Sequence, residues 1–382
     1  MIKAINFTNV NPITLDEKNK IQKDINKIIK DNDFILGKSL KVFENNFAKL
    51  SKVKYATGCA SGTDALLLAL LSLNLKRDDE VIVPAMTYIS TGLSVLLNNN
   101  KLILADIDKH TGLISINDIL KKITKKTKAI IPVNLYGQKV NLKKLRESVN
   151  KRIFIIEDSA QSHFAYSCYN CPKGFKTKCC QKERNDKYAD LSCYSFYPAK
   201  NLGAYGDGGL ITTNNAKLHK KLLALRNLGA VKKHVHKHIG LNSRLDTLQA
   251  TILNNKLSTI LKLNNHRRKI CEFYDKNLKE ISQIKITKTN PGSSRHLYVI
   301  RTKKRDKLIK YLASRKIFCQ IHYPYTLGNL KPFIKKIKKN NNLYESKLWS
   351  KECLSLPLYP NMKRNDLHRI ISEIYKFYNQ HL

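Results

Sequence analysis

The sequence predicts an α/β protein: a large domain with a mostly parallel central sheet flanked by helices, then a smaller C-terminal α+β domain. Three observations predict it. Short, nearly continuous apolar runs recur through the first half of the chain. A stretch able to form a helix separates each run from the next. After one long helical stretch the pattern changes to mixed strand-like and helix-like segments. Continuous apolar runs suit parallel strands buried on both faces, and strand–helix alternation folds through right-handed crossovers.

In chain order, the runs are "VIVPA" (81–85), "LILAD" (102–106), "AIIPVNL" (129–135) and "FIIED", which ends on Glu157 and Asp158. The helical stretches are 63–75, 91–99, 116–124 and 141–150. Two further strands, "LSCYSFY" (191–197) and "GGLITTN" (208–214), flank a loop that contains Lys200. An amphipathic helix at 216–229 closes on Gly229, and 244–278 reads as one long helix bridging to the second domain. Beyond it, "HLYVIR" and "IFCQIHYP" read as strands, and "RDKLIKYLASR" and "RNDLHRIISEIYKFY" as helices. The expected division is residues 1–255 and 256–382. A cysteine-rich insertion at about 166–187 and a Lys/Asn-rich stretch at 335–343 read as loops.

Composition bounds the function. The chain has 382 residues and 42% apolar content, enough for a sizeable core. No signal pattern opens it, and no apolar run approaches the roughly 18–20 residues of a membrane helix. A cytoplasmic protein with no membrane partner is the expectation. The formal charge of +41 would attract phosphates. The lysines are nevertheless spread along the chain without a nucleic-acid motif, so nucleic acid is not an expected partner. Nine cysteines, odd in number, suit a reducing compartment. Cys168, Cys171, Cys179 and Cys180 cluster in the insertion. A zinc site there would lack a second C-x-x-C and would need two adjacent ligands, so no metal is expected.

Three places carry chemistry. In "CASGTDALLLAL", Ser61, Gly62 and Thr63 open a helix. A helix start offers free N–H groups and the positive end of a dipole. Gly62 would let backbone approach an anion, and Thr63 would cap the helix or bond a phosphate oxygen. For the tripeptide alone, capping suffices. In "FIIEDSAQSHF", an acid at a buried strand end needs a cationic partner. Asp158 would either bind a protonated pyridine nitrogen or cap the following turn. Third, Lys200 lies between two strands where the sheet ends, just after Ser195. A lysine buried there would lose pKa and become a nucleophile, whereas a solvated one would not. A phosphate-binding helix start, an Asp roughly 95 residues later and a Lys roughly 40 beyond are together the parts of a pyridoxal phosphate site.

The motifs "SGTDALLLAL", "VPAMTYIST", "NLYGQ", "EDSAQSH", "SFYPAKNLGAYGDGG", "GLNSRLDTLQA", "HLYVIR", "IHYP" and "LSLPLYP" follow in that order. In this the chain resembles the DegT/StrS-type sugar aminotransferases, from about residue 30 to 380. These are pyridoxal-phosphate enzymes of fold type I that act on nucleotide-linked keto-sugars. The resemblance implies that Lys200 is the Schiff-base lysine and proton shuttle, and that Asp158 pairs with the pyridinium nitrogen. It implies that Tyr88 stacks on the cofactor ring, that Gln161 lies beside the ring hydroxyl, and that Gly62, Thr63 and Ser195 hold the phosphate. Asn242 would reach the phosphate from the neighbouring subunit of a homodimer. Arg244 and Asp246 would support that loop, and Tyr323 would line the substrate region. The implied reaction carries an amino group from L-glutamate to a nucleotide-linked keto-hexose, for an amino sugar used in glycan building. Lysine rather than histidine at position 200 favours transamination over dehydration, and the later motifs favour C3 of the sugar over C4. A non-catalytic regulator of the same fold is the other reading. Asn134, where relatives often carry His or Ser, is expected to bear on sugar contacts. Phe164 stands where glycine is common.

Overall fold

The computed structural model describes residues 3–10, 12–166, 188–337 and 342–380. The four clustered cysteines lie outside them. Seven strands build the central sheet: β1 (Tyr55–Cys59), β2 (Glu80–Pro84), β3 (Lys101–Ala105), β4 (Thr127–Ile130), β5 (Phe154–Asp158), β6 (Leu191–Ser195) and β7 (Gly209–Thr213). Their order is β1-β7-β6-β5-β4-β2-β3. Every ladder is parallel except those of β7, which runs antiparallel to β1 and to β6. The continuous apolar runs serve two cores at once. Val81, Val83, Ala129 and Ile156 pack into one face, and Ile82, Ile130 and Ile155 into the other. That two-sided burial is why the strands carry no alternation of apolar and polar residues.

The expected run at 129–135 stops as a strand at Ile130. Pro132 has no N–H to extend the ladder. Its carbonyl still accepts from Asp158 (2.9 Å), and Asn134 N–H donates to the Asp158 carbonyl (3.0 Å). The chain therefore continues beside the end of β5. The long helix expected at 244–278 is two helices, Thr247–Leu257 and Ile260–Leu278. At the break, the Ser258 and Thr259 hydroxyls donate to the carbonyls of Asn255 and Lys256. Side-chain hydroxyls bonded back onto a helix in this way compete with its continuation. The segment "IFCQIHYP" forms no strand; it contributes isolated bridges, Ile5 with Ile317 and Gln320 with Ser355.

A second, antiparallel sheet joins Lys285–Ile286, Tyr298–Arg301 and Cys353–Leu356. One of its faces shares a core with the helices Ile260–Leu278, Arg305–Ser314 and Arg364–Gln380. Val299 and Cys353, from the other face, pack with the residues beneath the central sheet. Residues near the chain start also belong to this later unit: Ile5 N–H donates to the Lys316 carbonyl (2.8 Å), and Phe318 N–H to the Ile5 carbonyl (3.0 Å). Among the described residues no helix is long and apolar enough to cross a membrane.

Two departures from the family pattern gain a physical reason. Phe164 adopts the left-handed region, φ 55°, which explains why glycine suits that position. The backbone strain, about 1–3 kcal/mol, is opposed by burial of its ring against Phe47, 4.9 Å between centroids. Asn134 is fully buried and holds structure together. Its amide donates to Glu157, Ser159 and Ser162, and its carbonyl oxygen accepts from Val140 N–H. The expected bearing on sugar contacts is corrected accordingly: the side chain braces the turn beneath the site.

Candidate active site

A cavity of about 660 Å³ opens beyond the carboxyl ends of β5 and β6, where open α/β sheets place ligands. It is lined by Gly62, Thr63, Tyr88, Asp158, Gln161, Ser195 and Lys200, so seven of the eight residues expected in the site meet in one space. Asn242 is the exception. It is exposed, and its backbone bridges to Asn227. Arg244 donates to Asn227 Oδ1 (3.2 Å), bracing that loop, whereas the exposed Asp246 makes no cap bond to the helix it precedes.

The helix Gly62–Ser72 starts at the cavity. Ser61, not Thr63, is its cap: the Ser61 hydroxyl accepts from Asp64 N–H (3.1 Å), while Thr63 pairs with Ser90 (2.7 Å). The N–H groups of Gly62 and Thr63 have no partner among the described residues, leaving two donors at the positive end of the helix for an anion. Gly62 is glycine for a reason the sequence did not show. A Cβ there would stand 2.5 Å from Ser195 Cβ. The absent side chain lets the end of β6 close on the helix start, bringing the Ser195 hydroxyl beside those donors.

Asp158 ends β5 and is buried. Burial raises its carboxyl above the usual range; the Ala160 N–H, the Thr91 hydroxyl and the Lys200 charge oppose the rise. Thr91 donates to Oδ2 (2.9 Å) and Ala160 N–H to Oδ1 (3.1 Å). Asp158 thus ties the following turn, as one of its two expected roles required, and its side chain also lines the cavity. Lys200 is half-buried on a tight loop, its N–H donating to the Tyr197 carbonyl (2.8 Å). Its amine has no hydrogen-bond or ion-pair partner among the described residues. Burial lowers it to about 8, and the Asp158 carboxylate pulls weakly the other way. His322, also in the lining, is pushed down to about 4 by burial.

Gln161 bridges two tyrosines. Its Oε1 accepts from Tyr136 N–H (2.7 Å), and its Nε2 donates to the Tyr323 hydroxyl (3.0 Å). The exposed Tyr88 ring leans on Tyr323, 5.8 Å between centroids. The Lys200 amine, the Asp158 carboxylate, a helix start with two free donors and an available aromatic face converge on one cavity, which fits pyridoxal phosphate. The sequence reading missed Thr91, Arg267, Gln320 and the N-terminal Phe7 and Thr8, all in the lining. Thr91 stood inside a quoted motif, "VPAMTYIST", and a hydroxyl in the first turn of a helix facing the sheet end was a usable signal. Nothing near Phe7 marked it.

The family model for the DegT/DnrJ/EryC1/StrS aminotransferase family matches residues 15–375. The chain belongs to this family. It is 35% identical over 375 residues to a dTDP-3-amino-3,6-dideoxy-alpha-D-galactopyranose transaminase of Aneurinibacillus thermoaerophilus, covering 98% of this chain and 99% of that one. It is 34% identical over 360 residues to a UDP-N-acetyl-3-dehydro-alpha-D-glucosamine 3-aminotransferase of Acidithiobacillus ferrooxidans, covering 94% and 93%. Among solved structures, that of S. venezuelae DesV in complex with ketimine intermediate superposes with a TM-score of 0.91 at 30% identity, over 98% of both chains. The family match and the cavity together make this chain an aminotransferase.

Proposed function

We propose that this aminotransferase uses pyridoxal phosphate to move an amino group from L-glutamate to the C3 ketone of a nucleotide-linked hexose. The observation that carries the proposal is the convergence of Lys200, Asp158 and the free N–H groups of Gly62 and Thr63 on one cavity. The 3-amino-sugar enzymes among its relatives support the sugar class and the carbon.

When bound, pyridoxal phosphate supplies a ring that accepts electron density and carries the amino group. Lys200 Nζ is the atom that would hold it covalently. As a free amine it would take and return the proton at the substrate carbon, a task suited to a base lowered to about 8. Asp158 would keep a proton on the ring nitrogen, and Thr91 and the Ala160 N–H keep its carboxylate aimed. Gly62 and Thr63 N–H, with the Ser195 hydroxyl, would hold the phosphate. Tyr88 would offer an aromatic face to the ring, and Gln161 would serve its hydroxyl. In a homodimer, Asn242 of the partner subunit would complete the phosphate site. The described cysteines are free thiols, which suits a reducing cytoplasm.

The test is direct. Purified enzyme is given L-glutamate and a panel of 3-keto and 4-keto sugars linked to UDP, dTDP or GDP, and amino-sugar products are identified by mass spectrometry. Borohydride is expected to fix the cofactor on Lys200, and Lys200→Ala to reduce turnover to background with the fold intact. Reaction with 4-keto sugars only would overturn the carbon. Absence of any bound cofactor would overturn the enzyme reading.

A further inference from the structure

Lys200 is followed by Asn201, whose side chain is bonded at both ends. Its Nδ2 donates to Asn264 Oδ1 (2.8 Å) and to the Ser294 carbonyl (2.9 Å), and its Oδ1 meets His296 Nδ1 at 2.9 Å. The bonds continue to the turn after β5, where Asn264 Nδ2 donates to the His163 carbonyl (3.0 Å). Asn264 lies in the helix Ile260–Leu278, and Ser294 and His296 lead into the strand Tyr298–Arg301. The loop that carries Lys200 is therefore anchored in the later unit. His296 is itself held by its backbone: its N–H donates to the Tyr136 carbonyl (3.1 Å), and its carbonyl accepts from Arg267 (3.2 Å).

These bonds can run in one direction only. The His163 and Ser294 carbonyls accept and cannot donate, so they decide which end of each amide bears the hydrogens. Asn201 Oδ1 is then an acceptor, and the His296 Nδ1 bonded to it must carry a hydrogen. His296 is buried, and burial, with the Lys200 and Arg267 charges, lowers its pKa well below the usual value. A neutral imidazole carries one N–H, so His296 Nε2 holds a bare lone pair. This is the less common form, since a free imidazole side chain carries its hydrogen mostly on Nε2. The ring lines the cavity, and Nε2 has no hydrogen-bond partner among the described residues. The Lys200 amine, in the same lining, has N–H groups to give and no partner there either.

We propose that Asn201 and His296 are positioning residues for Lys200: Asn201 ties down the lysine loop and sets the histidine tautomer, and His296 Nε2 accepts an N–H of the free amine as that side chain turns in the cavity. The inference rests on the reading that Lys200 is the reacting amine of a pyridoxal phosphate enzyme. An amine bonded through one N–H keeps its lone pair within a narrow range of directions, which proton transfer at a fixed carbon requires. His296 exchanges no proton in this role; it aims the group that does.

Nitrogen NMR of cofactor-free enzyme labelled at histidine reads the tautomer, with His296→Asn identifying the signal. The Nδ1–H form is expected, and Asn201→Ala is expected to shift it toward Nε2–H. A wild-type ring in the Nε2–H form, or one unmoved by Asn201→Ala, would overturn the proposal. His296→Asn separates support from acceptance, because an asparagine amide can replace Nδ1–H toward Asn201 while nothing replaces Nε2. In that variant kcat is expected to fall about tenfold, with KM for glutamate and for the sugar held within about twofold. Loss of an acceptor that favours the ammonium also lowers the Lys200 pKa. Acetic anhydride is therefore expected to label Lys200 of the cofactor-free variant at least about threefold faster at pH 7, read by peptide mass spectrometry. A purely structural role predicts wild-type values, and a wild-type kcat or labelling rate would overturn the acceptor. Should Asn201→Ala fail to fold, the wild-type tautomer and His296→Asn still decide. The NMR and labelling measurements need neither cofactor nor sugar. Wild-type protein that shows the expected tautomer but binds no pyridoxal phosphate would bring down the cofactor reading instead.

Discussion

Lys200 is one of 70 lysines and arginines, and what separates it is the surroundings of its amine. An ordinary lysine with a pKa of 10.5 is neutral in roughly one molecule in three thousand at pH 7; at about 8 the neutral share is about a tenth. Only the neutral amine is a nucleophile. Since burial has lowered the pKa, reactivity must grow as pH rises. The rate at which cofactor-free enzyme takes up pyridoxal phosphate is expected to climb about tenfold per unit below pH 8 and to level above it. Absorbance stopped-flow measures this, and an inflection near 10 would contradict the burial argument. Thr91 acts on the partner charge. Its hydroxyl donates to Asp158 Oδ2 and also pairs with Thr87 (3.0 Å). A hydrogen bond to a charged group contributes about 1.5–3 kcal/mol. Thr91→Val is therefore expected to cut kcat at least about tenfold and to shift the pH dependence of the bound cofactor's absorbance, while Thr91→Ser retains both. A valine variant with a wild-type spectrum and rate would show that Asp158 needs no such help. Lys200 and Asp158 were legible because each sits in a distinctive motif. Thr91's role was not, because it depends on a hydrogen bond across 67 positions.

At the scale of the element, β5 ends in two adjacent acids that point to opposite faces, as successive strand residues must. Asp158 faces the cavity. Glu157 is fully buried beside Lys139, with Asn134 (2.7 Å) and Ser192 (2.8 Å) donating to it. Burial alone would raise the Glu157 carboxyl, yet the Lys139 ammonium and these donors hold it below the usual range. This pair braces the strand end that presents Asp158. Lys139→Met leaves a buried charge uncompensated and is expected to cost about 3–5 kcal/mol. Urea denaturation checks the loss, and adding Glu157→Gln should recover much of it. Equal stability of the single variant and the wild type would mean the pair is not needed. The strands themselves were legible from their apolar runs, and the end of β4 was not, because Pro132 stops the ladder inside an apolar stretch. The break at Ser258 was hidden for a similar reason: hydroxyls that end a helix look the same in sequence as hydroxyls tolerated within one.

At the scale of the whole molecule, the charge of +41 is not concentrated at the reacting centre. Lys200 and Arg267 are the cationic lysine and arginine side chains among the described lining residues. Asn242 likewise lies outside its own chain's cavity. The proposed homodimer makes a sharp prediction from this placement. Lys200→Ala and Asn242→Ala enzymes, each inactive or impaired alone, are unfolded and refolded together. If Asn242 serves the partner's site, half of the dimers are mixed and each mixed dimer has one intact site. Activity should then recover to roughly a quarter of wild type. No recovery on mixing would place Asn242's function within its own subunit.

The sequence alone determined the kind of sheet and the reaction class. Apolar runs buried on two faces and phosphate-binding, acid and lysine motifs in a set order are local signals, each readable within a dozen residues. Only the tertiary structure decided that Gly62 is required by Ser195, that Asn134 braces a buried turn, and that the N-terminal segment shares a cavity with Lys200. Those facts depend on contacts between residues far apart in the chain, whose distances no local pattern encodes.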